Sequence, residues 1–479
     1  MTSLPYWVAG RAATGDRTLE VRSPYDDTLS GRTTFATADH VEEAVAAADG
    51  VRAEFAAAPA SVRAEALDHV SRRIAERIDE FAHLITAESG KPVKWARAEA
   101  VRAVATFRWG AEEARRWSGT LQRLDTEPAG AGRLALLRRV PRGPVLGISP
   151  FNFPLNLVAH KVAPALAVGA PVVLKPAPAT PLSALLLGEL LAETELPTGS
   201  WSVLPVPDDV AASLVREPRL PVVSFTGSVP VGWSIREAVP RKHVTLELGG
   251  NAAAVVGPDQ GDEESLSWAA ERIATFAMYQ AGQSCVSVQR VYAHRDVAEA
   301  LIERVVLEVE ALQTGDPADP ATDVGPLIDE AAARRVESWV DEAVAAGATL
   351  LTGGERTGCS YAPTMLTGVP ADAKISCEEV FGPVALIEPV DSVEEGFARV
   401  NDSRFGLQAG VFTHDLQVAF RAAQALEVGA VVVGDVPTYR ADQMPYGGVK
   451  DSGEGREGVH AAMLDLTVDR VLVLTGIAV

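Results

Sequence analysis

Between residues 143 and 249 the chain alternates short β-forming runs with helical ones. "GPVLGIS" precedes "LNLVAHKVAPALAVG", and the short buried run "PVVLKP" precedes "PLSALLLGELLAE". "WSVLPV" precedes "DDVAASLVRE", "PVVSFTGS" precedes "VPVGWSIREAV", and "HVTLELGG" closes the series. Strand–helix alternation of this kind gives a parallel sheet with helices packed on its faces. Such sheets bind ligands at the carboxyl ends of their strands. The turns after each strand are therefore where chemistry is expected.

The flanks read differently. Residues 39 to 122 put apolar residues at helical spacing among charges, with Ser61 as a candidate N-cap and a stop at Gly90. "GRLALLRRVPRGPVLGISP" reads as strands broken by Pro and Gly. A second α/β stretch begins near 250 and runs to about 433. It opens on the helix "SLSWAAERIATFAMYQAG", with Leu266, Ala270, Ile273 and Ala277 on one face. The tail from 456 ends in alternating, strand-like residues. At roughly 150 residues per domain, the 479 residues suggest about three domain-sized units.

Charge and cysteine usage narrow the class. A net charge of -21 repels phosphate backbones and anionic headgroups, so neither nucleic acid nor membrane is expected as a partner. "MTSLPYWVAG" lacks the basic and apolar segments of a secretory signal. The apolar runs are too short or too interrupted to span a bilayer. Cys285, Cys359 and Cys377 are odd in number, far apart and without zinc spacing. The expectation is a cytoplasmic protein with reduced thiols and no metal site.

Several residues at strand ends carry candidate chemistry, each with a plainer alternative. Asn152 in "SPFNFP" can donate its amide to a developing oxyanion, or simply close a turn. Lys175, at the end of "VVLK", can reach a nucleotide ribose or phosphate, or snorkel out of the sheet. In "SFTGSVPVG", the amides at the helix start after Gly227 and Ser228 would face an anion such as a pyrophosphate. Glu247 lies in an apolar strand before a Gly pair, where a raised pKa suits a general base; the alternative is a Glu paired with an Arg. Cys285 in "GQSC" is either an activated nucleophile or a small buried apolar residue.

Taken in order, "SPFNFP", "LKPA", "SFTGS", "LELGGN", "GQSC", "EEVFGPV", "NDSRFGL" and "PYGGVKDSGEGREG" resemble the NAD(P)-dependent aldehyde dehydrogenase superfamily. The resemblance runs from about residue 20 to the last strand. It implies a doubly wound parallel-sheet cofactor domain (1-122 and 142-249), an α/β catalytic domain (250-455) and a β oligomerisation arm (123-141 and 456-479). It further implies a small-molecule aldehyde substrate, NAD or NADP as cofactor, and a homodimer or homotetramer. Cys285 would be the nucleophile, Asn152 and the Cys285 backbone N–H the oxyanion hole, and Glu247 the base that activates water. Lys175 would hold the adenosine ribose and Ser228 the pyrophosphate. Glu379 would bind the nicotinamide ribose, with Phe381 against the nicotinamide. Ser149, Phe151, Pro178 and Gly227 would complete the cofactor site.

The sequence departs from this family in two places. Where the family commonly has a Glu three residues after the ribose-binding Lys, this chain has Pro178. That removes a carboxylate that repels a 2′-phosphate, so NADP should be accepted. "VGDVPTYRADQMPYGGVK" resembles the lactaldehyde, phosphonoacetaldehyde and non-phosphorylating glyceraldehyde-3-phosphate dehydrogenase subgroup. Phosphate-accepting members of that subgroup typically carry Arg directly before the nucleophile, and here the residue is Ser284. Arg108, His160 and Arg440 could form a polar pocket. Alternatively Arg108 sits on a helix face, His160 packs under the loop at 150, and Arg440 lies at the surface. Three other functions compete with aldehyde oxidation to the free acid: CoA-acylating dehydrogenation, a catalytically silent homologue and a cysteine hydrolase. Glu247 speaks against the first. The joint presence of Cys285, Glu247, Asn152 and Lys175 speaks against the second, and the absence of a His motif near Cys285 against the third.

Overall fold

The computed structural model describes residues 2–476. Its first sheet contains the five strands expected between 143 and 249: Val145–Ile148, Val172–Lys175, Trp201–Val203, Val222–Thr226 and His243–Glu247. All four pairings among them are parallel. Numbered along the chain, they lie in the spatial order 3-2-1-4-5. This is the doubly wound order in which the chain reverses direction beside the first strand. The crevice at that reversal opens at the carboxyl ends of Val145–Ile148 and Val222–Thr226.

Two additions complete the sheet from distant sequence. Tyr6–Val8 and Arg11–Ala13 extend the edge beyond Trp201–Val203 in antiparallel fashion. At the other edge the two-residue strand Gly453–Glu454 pairs with Leu246 and Glu247. The helix Val459–Asp465 also packs back onto this part of the molecule, and its Val459 and Met463 belong to the first hydrophobic core. The stretch expected to form the C-terminal arm therefore starts within the first layer, and only Thr467–Thr475 forms its strand. That strand pairs antiparallel with Arg133–Pro141, which pairs in turn with Thr120–Arg123. The last three residues of the expected arm, 477–479, lie outside the described residues.

The helical flank resolves into Ala38–Ala57, Ala60–Glu76, Ile78–Ser89 and Val93–Arg116. Gly90 closes the third in the left-handed conformation, as expected. Ser61 is not a cap: the helix begins one residue earlier, at Ala60, directly after Pro59. Pro59 itself stands at the cap position, and no side chain caps this helix. The second sheet is a seven-stranded, largely parallel one with Ala253–Val256, Arg290–His294 and Gln408–Phe412 near its centre, over a separate core. Leu266, Ala270, Ile273 and Ala277 are all buried in that core.

Candidate active site

The helix Glu263–Met278 stops four residues short of Gly282. Gln280 and Ala281 follow with φ of 52° and 53°, and Gly282 with 67°. Three successive left-handed residues turn the chain sharply and lift Cys285 into the crevice between the two sheets. Non-glycine residues occupy this region at a cost of about 1–2 kcal/mol each. Surrounding bonds hold them there: the Gln280 side-chain amide donates to the Asn152 carbonyl, and Gln283 Nε2 donates to Gln280 O at 3.2 Å. Gly282 has no room for a side chain, since a Cβ would lie 1.9 Å from the Gly382 carbonyl oxygen.

All eleven residues expected in the site line one cavity of about 430 Å³: Ser149, Phe151, Asn152, Lys175, Pro178, Gly227, Ser228, Glu247, Cys285, Glu379 and Phe381. Each sits at a strand's carboxyl end or in a turn, where side chains are free of the sheet. Asn152 is buried and donates through Nδ2 to the Gln283 carbonyl at 2.9 Å. That bond uses one of its two amide hydrogens. The Cys285 thiol is pushed up to about 12 by burial, opposed by a hydrogen bond with Tyr446. Sγ and the Tyr446 hydroxyl are 3.0 Å apart.

Glu247 ends its strand with both carboxylate oxygens buried and without a hydrogen-bond partner among the described residues. Its alternative reading, an ion-paired Glu, does not hold. Burial, then the neighbouring Glu457, push its carboxyl well above the ordinary range, while Arg440, Lys161 and Arg456 pull it back. Glu457 behaves oppositely. Burial works against its charge too, but Lys161 and Arg440 outweigh it and hold the carboxyl down at about 2. Two buried carboxyls side by side thus divide into an ionised one and a protonatable one.

The remaining lining residues suit a nucleotide. Lys175 projects from its strand end and pairs with the exposed Asp208 at 3.2 Å. Ser228 immediately precedes the helix Val229–Ala238, whose first amides are free to face an anion. The Ser149 hydroxyl is buried with no partner among the described residues, an open valence for a ligand. Glu379 Oε1 accepts from the Gly250 amide at 3.1 Å, and burial pushes its carboxyl to about 7. A Cβ on Gly249 would lie 2.1 Å from that carboxylate, so the glycine lets the two loops close up. The Phe151 and Phe381 rings meet edge to face at 5.9 Å. Together these ammonium, hydroxyl, carboxylate and amide groups fit a dinucleotide.

A second cavity of about 270 Å³ meets the first at Leu157, Cys285, Arg440 and Tyr446. Trp95, Phe276, Tyr279, Arg102 and Arg272 are among its walls. Arg440 is not at the surface. Its guanidinium is buried, pairs with Glu457 at 3.1 Å and lies 3.8 Å from the centre of the Tyr446 ring. Its Nε has no partner among the described residues. Arg108 lies on an exposed helix face and lines neither cavity; Arg102, on the same helix, does. His160 is buried behind the site, bonded to Asp442 at 3.0 Å.

Residues 7–471 match the model of the aldehyde dehydrogenase family. The chain belongs to that family. It is 41% identical over 470 residues to a 3-sulfolactaldehyde dehydrogenase of Priestia aryabhattai, covering 98% of this chain and 97% of that one. Aldehyde dehydrogenase 21 of Physcomitrella patens, solved with its reaction product succinate, is also 41% identical, with a TM-score of 0.97 and 99% of each chain covered. The glyceraldehyde-3-phosphate dehydrogenase GapN of Methanocaldococcus jannaschii, solved with NADP, is 33% identical with a TM-score of 0.91, covering 96% of this chain and 100% of that one. The protein is accordingly an NAD(P)-dependent aldehyde dehydrogenase that oxidises an aldehyde to the acid. In line with the subgroup expected from "VGDVPTYRADQMPYGGVK", its relatives include lactaldehyde dehydrogenases, and 3-sulfolactaldehyde dehydrogenases are found beside them. Among the described residues no helix is long and apolar enough to cross a membrane.

Sequence reasoning missed Tyr446, Glu457, Arg102 and Arg272. Tyr446 and Glu457 lie within the quoted motif "PYGGVKDSGEGREG", and a hydroxyl on the aromatic of "PYGG" was the available signal. Arg102 and Arg272 gave none: Arg102 looks like the other arginines of its helix, and Arg272 lies in no quoted motif.

Proposed function

We propose that Cys285, Asn152 and Glu247 carry out the oxidation, with a small anionic aldehyde entering through the second cavity. The observation that carries this reading is the position of Cys285, at the junction of the cavity lined by the candidate cofactor residues and an arginine-lined one. Cys285 Sγ attacks the aldehyde carbon to give a hemithioacetal. The free amide hydrogen of Asn152 and the Cys285 backbone N–H stabilise the oxyanion. A nicotinamide cofactor, held by Lys175, Ser149, Gly227, Ser228 and Glu379 and shielded by Phe151 and Phe381, supplies the hydride acceptor. Glu247 then takes a proton from the water that hydrolyses the Cys285 thioester. A carboxyl with a raised pKa is a strong base once ionised. Glu247 also argues against release to CoA, which needs no water activation.

The anionic preference is supported by Arg440 Nε, a buried donor without a partner among the described residues, in the cavity wall that also holds Cys285. Arg102 and Arg272 are each held by one carboxylate, Asp442 and Asp435, through Nε and Nη2. Their Nη1 groups remain for a ligand. The sulfonate of the Priestia enzyme's substrate and the carboxylates of succinate are anions of this kind. The strand pair Arg133–Pro141 and Thr467–Thr475 suits assembly into a homodimer or homotetramer, since Leu121, Val471, Leu472 and Val473 of this arm are at least half exposed. Three free cysteines accord with a cytoplasmic setting.

Cys285→Ser and Cys285→Ala should abolish formation of reduced nicotinamide while cofactor binding persists. Substantial turnover in Cys285→Ala would remove the cysteine from the mechanism. Short aldehydes ending in a sulfonate or carboxylate should exceed their neutral analogues in kcat/KM by tenfold or more. A preference for the neutral analogues would sink the anionic reading.

A further inference from the structure

We propose that the Tyr446 hydroxyl donates a hydrogen bond to the Cys285 thiolate and so stabilises the ionised nucleophile against the burial that disfavours it. This rests on the reading of Cys285 as the nucleophile. Tyr446 Oη lies 3.0 Å from Sγ and has no other hydrogen-bond partner among the described residues. Among the described residues no lysine, arginine or histidine hydrogen-bonds the sulfur. The tyrosine is buried, lines both cavities, and is held by a reciprocal backbone bridge to Glu457, with N–O distances of 2.9 and 2.7 Å. Its position owes nothing to the sulfur, so the hydroxyl is pre-placed.

The direction of the bond follows from donor chemistry. A thiolate carries no proton, so in that form the bond runs only from phenol to sulfur. A hydrogen bond to an ionised group is about twice as strong as one between neutral groups, so it favours the thiolate over the thiol. Burial, then the adjacent sulfur, push the phenol well above its ordinary value of 10.0, so it keeps the proton it donates. The other charged groups facing the thiol are Glu379 and Glu247, which disfavour the thiolate, and Arg440, which favours it. Arg440 also stacks on the tyrosine ring, so its charge serves sulfur and phenol together.

The test is the pH dependence of alkylation of Cys285 by iodoacetamide in the cofactor-free enzyme. Mass spectrometry of the Cys285 peptide excludes signal from Cys359 and Cys377. Tyr446→Phe removes one oxygen and keeps the ring. The midpoint for Cys285 should rise by about one to two pH units, the scale of one hydrogen bond to a charged group. Alkylation at pH 7 should slow by about tenfold to a hundredfold. An unmoved or lowered midpoint would overturn the proposal. If Tyr446→Phe does not fold, the wild-type chain grown with 3-fluorotyrosine decides. Its more acidic phenol should lower the Cys285 midpoint, and an unchanged or raised one refutes the bond. Alkylation reports on the thiol itself, not on turnover. If alkylated Cys285 leaves the enzyme fully active, it is the nucleophile assignment that fails.

Discussion

Asn152→Ala separates two jobs that one side chain performs. The first is structural. Nδ2 donates to the Gln283 carbonyl at 2.9 Å in a buried position. Truncation leaves that carbonyl without this partner, at a cost of about 1–3 kcal/mol in stability. The second job, in the proposed mechanism, is catalytic. Asn152 lines the cavity that holds Cys285, and its second amide hydrogen has no partner among the described residues. Losing one oxyanion donor raises the barrier by about 2.7–4 kcal/mol, or about a hundredfold to a thousandfold in kcat. Stability lost in the ground state does not itself slow a folded enzyme, so the two effects can be read apart. Thermal unfolding measures the first, and the single-turnover rate of reduced-nicotinamide formation measures the second. KM should change little, because the oxyanion develops only after attack. If the folded variant forms reduced nicotinamide within tenfold of wild type, Asn152 is a turn residue and the oxyanion hole lies elsewhere.

Glu247→Gln should show a burst of reduced nicotinamide followed by slow turnover, with the acyl-enzyme visible by mass spectrometry; loss of the burst would mean that Glu247 acts before hydride transfer. In wild type, deacylation should rise with pH, because the raised Glu247 carboxyl must lose its proton to act as base, and the Gln variant should lose that limb. The same group binds its proton more tightly in the native state, so its contribution to native stability falls as pH climbs above 4.5, and Glu247→Gln should flatten that slope in thermal unfolding. Gly282→Ala combines φ of 67° with a Cβ placed 1.9 Å from a backbone oxygen, so the Cys285 turn must shift. A displacement near 1 Å should cost about a hundredfold in kcat, and an unimpaired variant would show that this turn does not set the nucleophile. Wild type should use NADP with kcat/KM within about a hundredfold of NAD, a gap of ~2.8 kcal/mol. Pro178→Glu should weaken NADP selectively, and an unchanged ratio of the two cofactors would shift the selectivity to another residue.

What was legible in the sequence was local. Strand and helix alternation between 143 and 249 is a short-range pattern, and each strand formed where its apolar run lay. Cys285, Asn152 and Glu247 were legible because the turns that present them are written in neighbouring residues. Pairings across long separations were not. Cys285 and Tyr446 are 161 residues apart, and Arg102 meets Asp442 across 340. Arg440 reads as a surface residue until Glu457, seventeen positions on, is seen to bury with it. On Val93–Arg116 the arginines at 97, 102, 108, 115 and 116 look alike in sequence. Only the docking of that helix against the second cavity singles out Arg102.

The edge strand Gly453–Glu454 has a consequence for synthesis on the ribosome. His243–Glu247 is complete once residue 247 has emerged, but its outer edge stays unpaired until some 200 residues more have been translated. A nascent chain in that interval exposes a row of backbone donors and acceptors next to Glu247, the kind of edge that recruits other chains. The same late segment delivers Tyr446, Glu457 and the strand that covers Arg133–Pro141. Truncated or slowly translated chains should therefore aggregate through the first sheet rather than accumulate as a folded, inactive domain.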